Sequence, residues 1–166
     1  MPRHIKKAAL AGQAEEADAR TRSTVEAILA DVQKRGDAAV RDLSLRFDKW
    51  SPPSFRLCAD EIAALLAQVS PQTIDDISFA QQQIRNFAQI QRAALRNVEV
   101  ETLPGVILGH RHIPVGRVGC YVPGGRYPMV ASAHMSVVTA KVAGVGHIAA
   151  CTPPNQGGPP PETIAA

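Results

Sequence analysis

Apolar residues recur every three or four positions through the first hundred residues of the chain, a spacing typical of amphipathic helices. The first such stripe consists of Val25, Ile28, Leu29 and Val32. We expect its helix to begin at Thr21 or Ser23 and to stop at Gly36. A second stripe follows Asp37, and a third over residues 62–69 predicts another helix. Residues 55–57 are a candidate short strand between them.

The longest predicted helix begins at Ser70-Pro71, because serine caps a helix and proline is favoured at the first helical position. It runs to about Leu95, and its glutamine- and arginine-rich faces indicate a side that is solvated or meets another chain. Residues 1–20 lack sustained apolar periodicity. They are predicted to form an arm that is mobile or bound to a partner.

At Val98 the pattern changes from helical to alternating. The strands on either side of Pro104-Gly105 predict a hairpin, since proline and then glycine suit the centre of a type II turn. Residues 117–122 and 147–151 then read as two buried parallel strands joined by a helix over residues 129–143. The fold class is therefore α/β: a helical N-terminal lead-in, a β-hairpin and an incomplete Rossmann-like βαβ unit. The expected divisions are an arm at 1–20, a helical segment at 21–97 and a truncated dinucleotide-binding domain at 98–166.

Composition narrows the class of protein without naming a function. The net charge of +3 and the lack of a basic run argue against nucleic-acid binding, and no apolar run is long enough for a membrane span. Three widely spaced cysteines do not suggest a disulfide framework, so we expect reduced thiols and a cytoplasmic location. The Gly- and Pro-rich loop near the end leads into the start of a very short helix, so the chain looks interrupted.

The turn Pro123-Gly124-Gly125 after the first parallel strand is the best candidate for a ligand site, because ligands of open α/β sheets bind where strands end. It matches neither dinucleotide nor P-loop spacing, since Arg126 stands where a P-loop has lysine. On spacing alone, a plain tight turn is favoured over a nucleotide site. Tyr121 beside it can stack on a ligand or serve as a core aromatic with a satisfied hydroxyl.

The remaining candidates are weaker. His110 and His112 face the same side of a strand, but two histidines without a nearby carboxylate or thiol make a poor metal site. His134 lies on the predicted crossover helix and is interpreted as structural or solvent-facing. Cys120 and Cys151, near the ends of the two parallel strands, are interpreted as packing residues that can come close in space. The residues alone assign neither a catalytic group nor a metal ligand.

The chain resembles the histidinol dehydrogenase family. The resemblance lies in Val118-Gly119-Cys120-Tyr121-Val122-Pro123-Gly124-Gly125, in Ala140-Lys141-Val142-Ala143-Gly144-Val145 and in Cys151-Thr152-Pro153-Pro154. It implies a homodimeric, zinc-dependent enzyme that uses NAD to oxidise an alcohol to a carboxylate through an aldehyde. It further implies that Tyr121 contacts NAD, with Pro123, Gly124 and Gly125 beside it.

The resemblance covers only the N-terminal portion of the family. Its zinc ligands and its catalytic glutamate-histidine pair lie downstream of the residues present, so this chain alone is expected to be inactive and to hold no zinc. The run Gly125-Arg126-Tyr127-Pro128 through Met135 is more similar to the branch that includes sulfopropanediol dehydrogenases. A sulfonated diol is therefore slightly favoured as substrate, with histidinol as the alternative. A non-catalytic nucleotide-binding or structural module is the competing class.

Overall fold

The computed structural model describes residues 11–124, 127–155 and 157–166, and it divides the chain into two compact units. The first unit extends to Ser51 and the second from Pro52 to Ala166. No helix in these described ranges is both long enough and apolar enough to cross a membrane.

Two helices that meet at a glycine form the first unit. Helix α1 spans Ala11–Arg35 and α2 spans Asp37–Asp48. Gly36 between them has φ 59 and ψ −134, a conformation that costs a side-chain-bearing residue far more than glycine. Arg35 donates to the Asp31 carboxylate at 2.7 Å and to the Asp42 carboxylate at 2.8 Å, so one guanidinium links the two helices across the turn.

Helix α1 begins well before the predicted N-cap. It starts at Ala11 rather than at Thr21 or Ser23, so the second half of the predicted arm is helical. Residues 11–20 are mostly alanine, glutamate, glutamine and arginine, which favour helix without forming an apolar stripe. The periodicity argument therefore missed the first part of this helix, which local propensity supports. Residues 1–10 lie outside the described part of the chain.

The predicted strand at residues 55–57 is absent: Phe55 and Arg56 form bends, and Leu57 is irregular. The Ser54 hydroxyl lies 3.0 Å from both the backbone N–H and the carbonyl oxygen of Arg56 and bonds to both groups, so a local turn replaces a strand ladder. Helix α3, Ala59–Leu66, follows with a capping box between Cys58 and Glu61. Accepting the Cys58 backbone N–H at 2.7 Å holds the pKa of the Glu61 carboxyl below its usual range.

The long helix and the hairpin are confirmed. Helix α4 spans Pro71–Ala94, and the Ser70 hydroxyl accepts the Thr73 backbone N–H at 3.1 Å. Strands β1, Val98–Leu103, and β2, Val106–His110, pair antiparallel. Gly105 has φ 78, as the predicted turn requires, and its N–H is held by the Glu101 carboxylate at 2.7 Å.

The βαβ unit is also confirmed, with an interrupted crossover. Strands β3, Arg117–Tyr121, and β4, His147–Cys151, pair in parallel. Between them lie α5 (Val130–Ala133), a π-helical turn (His134–Val138) and α6 (Thr139–Ala143), where a continuous helix was predicted. A short helix α7, Pro161–Ala165, follows.

The two parallel strands are not buried as predicted. Cys120 is 5% exposed and the following Val122 2%, but most of β4 is exposed. The buried positions alternate along β3, so only one of its faces is covered. The π-helical turn of the crossover contacts β3, whereas Tyr121 on the opposite face is exposed.

Candidate functional site

The carboxyl ends of β3 and β4 bring Tyr121 next to Cys151. The two residues are partners in the parallel register, so their side chains leave the sheet on the same face. That face is open: Tyr121 is 65% exposed and the Cys151 thiol is exposed. Cys120 pairs with Ala150 and points to the covered face, so Cys120 and Cys151 lie on opposite faces. The packing interpretation fits Cys120 but not Cys151.

The loops that follow the two strands lie against each other. The Val122 backbone N–H donates to the Cys151 carbonyl at 2.8 Å, extending the pairing by one residue. A Cβ placed on Gly124 would come within 2.4 Å of Pro153 Cγ, a distance that real structures do not contain. Gly124 is therefore required by its neighbour Pro153, independently of any ligand.

Three of the four residues expected to contact a cofactor meet at this edge of the sheet. Tyr121 presents its phenol to solvent, Pro123 is half-buried, and the Gly124 backbone is exposed. Gly125 and Arg126 lie outside the described residues.

One polar group at this edge was missed in the sequence. The Thr152 hydroxyl directly follows β4 and is buried, with no hydrogen-bond partner among the described residues. A buried hydroxyl without a partner is unfavourable, so this oxygen is available to a further group. A threonine placed directly after a parallel strand was the signal in the sequence that could have found it.

A separate open cleft of about 560 Å³ lies along the end of α4 and includes Arg92, Asn97 and His112 in its lining. Tyr121 does not line it. Arg92 is already engaged there, because it donates to the Val142 carbonyl at the end of the crossover. Asn97 likewise accepts the His112 backbone N–H at 2.9 Å. Arg92 and Asn97 thus form hydrogen bonds with the backbone of the cleft's own lining.

The described histidines outside that edge form no cluster of metal ligands. The rings of His110 and His112 meet edge to face, 5.1 Å apart, and His110 Nε2 lies 3.0 Å from the Arg96 carbonyl. In the described ranges, no three His, Cys, Asp or Glu side chains come together in a way that suits a metal ion. His134 is 2% exposed, in keeping with its structural interpretation, and burial lowers its pKa although a hydrogen bond with the Ala166 backbone opposes the shift.

Comparison with known proteins supplies what the geometry lacks. The family model described as histidinol dehydrogenase matches residues 11–166. The chain belongs to the histidinol dehydrogenase family. It is 50% identical to a histidinol dehydrogenase homolog of Shouchella clausii over 100% of this chain and 39% of that protein. It is 47% identical to the sulfopropanediol 3-dehydrogenase of Ruegeria pomeroyi over 93% of this chain and 35% of that protein.

The fold agrees with the family. The crystal structure of histidinol dehydrogenase from Elizabethkingia anophelis matches 98% of this chain and 35% of that chain, with a TM-score of 0.81 and 27% identity. This likeness confirms the α/β fold class. The chain spans about two-fifths, or less, of the length of these histidinol dehydrogenase relatives.

Proposed function

We propose that this chain supplies part of the cofactor site of an NAD-dependent dehydrogenase of the histidinol dehydrogenase family. The exposed phenol of Tyr121 carries the proposal, because it stands at the carboxyl end of a parallel strand pair beside a glycine turn. Dinucleotides bind at this position in open α/β sheets. NAD would accept the hydride.

The chain's own groups fit a dinucleotide in three ways. The Tyr121 ring offers a face for stacking and a hydroxyl for a hydrogen bond. The exposed Gly124 backbone has no side chain to obstruct a ligand. The unpartnered Thr152 hydroxyl can donate to a ligand oxygen or accept from a ligand N–H. We propose Tyr121, Pro123, Gly124 and Gly125 as the contacting residues.

A calorimetric titration of NAD into an enzyme carrying this segment tests the site. We expect Tyr121→Ala to weaken binding roughly two- to tenfold, since loss of a stacked aromatic contact costs about 0.5–1.5 kcal/mol. Tyr121→Phe keeps the stacking face and should retain most of the affinity. Binding that ignores Tyr121→Ala would exclude this residue from the site.

Thiol alkylation provides an independent test with an internal control. Cys151 is Tyr121's neighbour on the open face, whereas Cys58 is exposed at the start of α3. Saturating NAD should slow alkylation of Cys151 and leave Cys58 unchanged. Equal rates at both thiols with NAD present would place the dinucleotide elsewhere. No binding of NAD by an enzyme carrying this segment would favour a non-catalytic module.

We further propose that the complete enzyme oxidises an alcohol to a carboxylate through an aldehyde, with a sulfopropanediol-type substrate. The 47% identity to a sulfopropanediol dehydrogenase supports this choice. Histidinol is the second candidate, supported by the family model and by the solved structure that the fold resembles. Assays of an enzyme carrying this segment with dihydroxypropanesulfonate and with histidinol separate the two. Turnover of histidinol alone would reject the sulfonated substrate.

Zinc, a homodimer and a cytoplasmic location complete the proposal. The described residues offer no group suited to zinc, so no part of the reaction is assigned to a metal held by this chain. The three free cysteines support a reducing compartment.

A further inference from the structure

The crossover between β3 and β4 contains a π-helical turn that its composition does not demand. His134–Val138 holds neither proline nor glycine, and the periodicity predicts an unbroken α-helix. π-Helical turns occur mostly as single bulges inside α-helices and are frequent at functional sites. Ala133 and Val138 are both buried although they are five residues apart, which is the spacing of neighbours in a π-turn.

Two side-chain hydroxyls donate hydrogen bonds to backbone carbonyls along this turn. Ser136 donates to the Ser132 carbonyl at 2.7 Å, with the Ala133 carbonyl 3.3 Å away. Thr139 donates to the Met135 carbonyl, with the Ser136 carbonyl 3.2 Å away. Side-chain donors of this kind compete with regular helical pairing and bend or distort helices. The two hydroxyls therefore stabilise the wide turn against the regular α-helix.

The π-turn sits between the candidate site and the rest of the second unit. It contacts β3, which carries Tyr121, and also α4. Helix α5 leads directly into the π-turn. One residue added to a turn rotates the preceding helix by about 100° relative to the downstream helix, since an α-helix has about 3.6 residues per turn. Relaxation to a regular helix would thus rotate α5 relative to α6.

We propose that Ser136 and Thr139 are positioning residues for the dinucleotide site: they hold the π-turn, which fixes α5 and contacts β3, the strand that carries Tyr121. This inference rests on the proposed NAD site. The two residues touch no ligand themselves and act through the geometry of the crossover.

The test compares variants that remove and retain a hydroxyl. Thr139→Val deletes the hydroxyl at nearly constant shape, and Ser136→Ala does so at the second position. Thr139→Ser retains a donor. Ser132→Ala is the matched control, because the Ser132 side chain forms no hydrogen bond with any described residue. The parent is an enzyme carrying this segment. Each variant of it is measured by NAD calorimetry, by NAD protection of Cys151 from alkylation, and by thermal unfolding.

We expect Thr139→Val and Ser136→Ala each to weaken NAD binding about three- to tenfold, the range for loss of one hydrogen bond. Protection of Cys151 should fall in parallel, while Thr139→Ser and Ser132→Ala bind NAD like the parent. Hydrogen exchange should quicken at the amides of α5 in the two weakened variants.

The outcomes are distinguishable. If the parent binds NAD and both hydroxyl-deleted variants bind within twofold of it, the inference is rejected and the proposed site stands, whatever happens to the unfolding temperature. If Thr139→Val does not fold, Ser136→Ala decides the question in the same way. A parent that does not bind NAD rejects the proposed function, and this inference with it.

Discussion

Two glycines close together in the chain differ in whether a side chain would fit: Gly124 leaves no room for one, whereas Gly119 in β3 does. A Cβ on Gly124 would lie 2.4 Å from Pro153 Cγ, whereas a Cβ on Gly119 would meet nothing within 4 Å. The loops after β3 and β4 therefore approach each other closely, because Gly124 has no side chain to keep Pro153 away. This contact fixes the edge of the sheet where Tyr121 stands.

Gly124→Ala should destabilise the protein by about 1–3 kcal/mol, the usual cost of overpacking a rigid contact. Gly119→Ala is the control and should change stability far less. Urea denaturation measures both. The double variant Gly124→Ala with Pro153→Ala should recover part of the loss, because the opposing ring is then gone. Equal effects of the two glycine variants would contradict the contact.

His134 gives a pH dependence with a definite sign. Burial favours its neutral ring and lowers its pKa below the ordinary 6.5, with the opposing hydrogen bond to the Ala166 backbone as a smaller effect. The unfolded chain binds the proton first as the pH falls, so the stabilisation is complete above about pH 6.5 and is lost below it.

The measurement is the free energy of unfolding of the parent and of His134→Gln between pH 7.5 and pH 5.5. The difference between them should change in this interval, with the parent losing more stability towards acid. A pH-independent difference would mean that the ring titrates alike in the folded and unfolded chain. His147, exposed on β4, is the control position for the same substitution.

At the scale of elements, the sequence predicts what local chemistry encodes. The Ser70-Pro71 start of α4, the Pro104-Gly105 hairpin and the parallel pairing of β3 with β4 are all confirmed. Each has a local signal: a cap, a turn dipeptide or an apolar run. These signals were sufficient for the α/β class.

The errors fall where the deciding feature is not an apolar period, a cap or a turn dipeptide. The π-turn depends on hydroxyl–carbonyl bonds that periodicity does not detect, and the early part of α1 depends on propensity without an apolar stripe. For the candidate site, the sequence located the turn after Tyr121 but not its contact with Pro153, because that contact joins two loops about thirty residues apart.

The end of the crossover helix offers a prediction at the same scale. Gly144 has φ 92, and a Cβ there would lie 3.2 Å from the Arg92 guanidinium, which caps the Val142 carbonyl. Gly144→Ala should cost about 1–2 kcal/mol, the strain of the left-handed region for an L-residue. Gly146→Ala is the control, since its nearest neighbour would be the Gly116 carbonyl at 3.6 Å. Thermal unfolding of the two variants checks this, and equal midpoints would refute it.

For the whole molecule, the informative feature is the exposed surface of the parallel strands and of the hairpin. Parallel sheets are normally buried on both faces, yet one face of β3 and β4 is open. The hairpin is exposed at every position, and an isolated hairpin is marginal in water. The relatives are more than twice as long as this chain, and they have further residues with which to cover such surfaces.

Ile107 on the hairpin tests whether this surface is open in solution. It is 65% exposed and pairs with Glu101, so Ile107→Lys removes an apolar side chain and adds an opposite charge across the strands. We expect the free energy of unfolding to stay within about 0.5 kcal/mol of the parent, as for exposed substitutions, while binding of an apolar-surface dye decreases.

Leu45→Lys on α2, at 57% exposure, is the matched control in the first unit. Sedimentation of the same samples measures the proposed homodimer at the same time. A large loss of stability in Ile107→Lys would mean that the side chain is packed in solution, either against a second copy or within the chain. Dissociation of a dimer by Ile107→Lys but not by Leu45→Lys would assign that packing to the second copy.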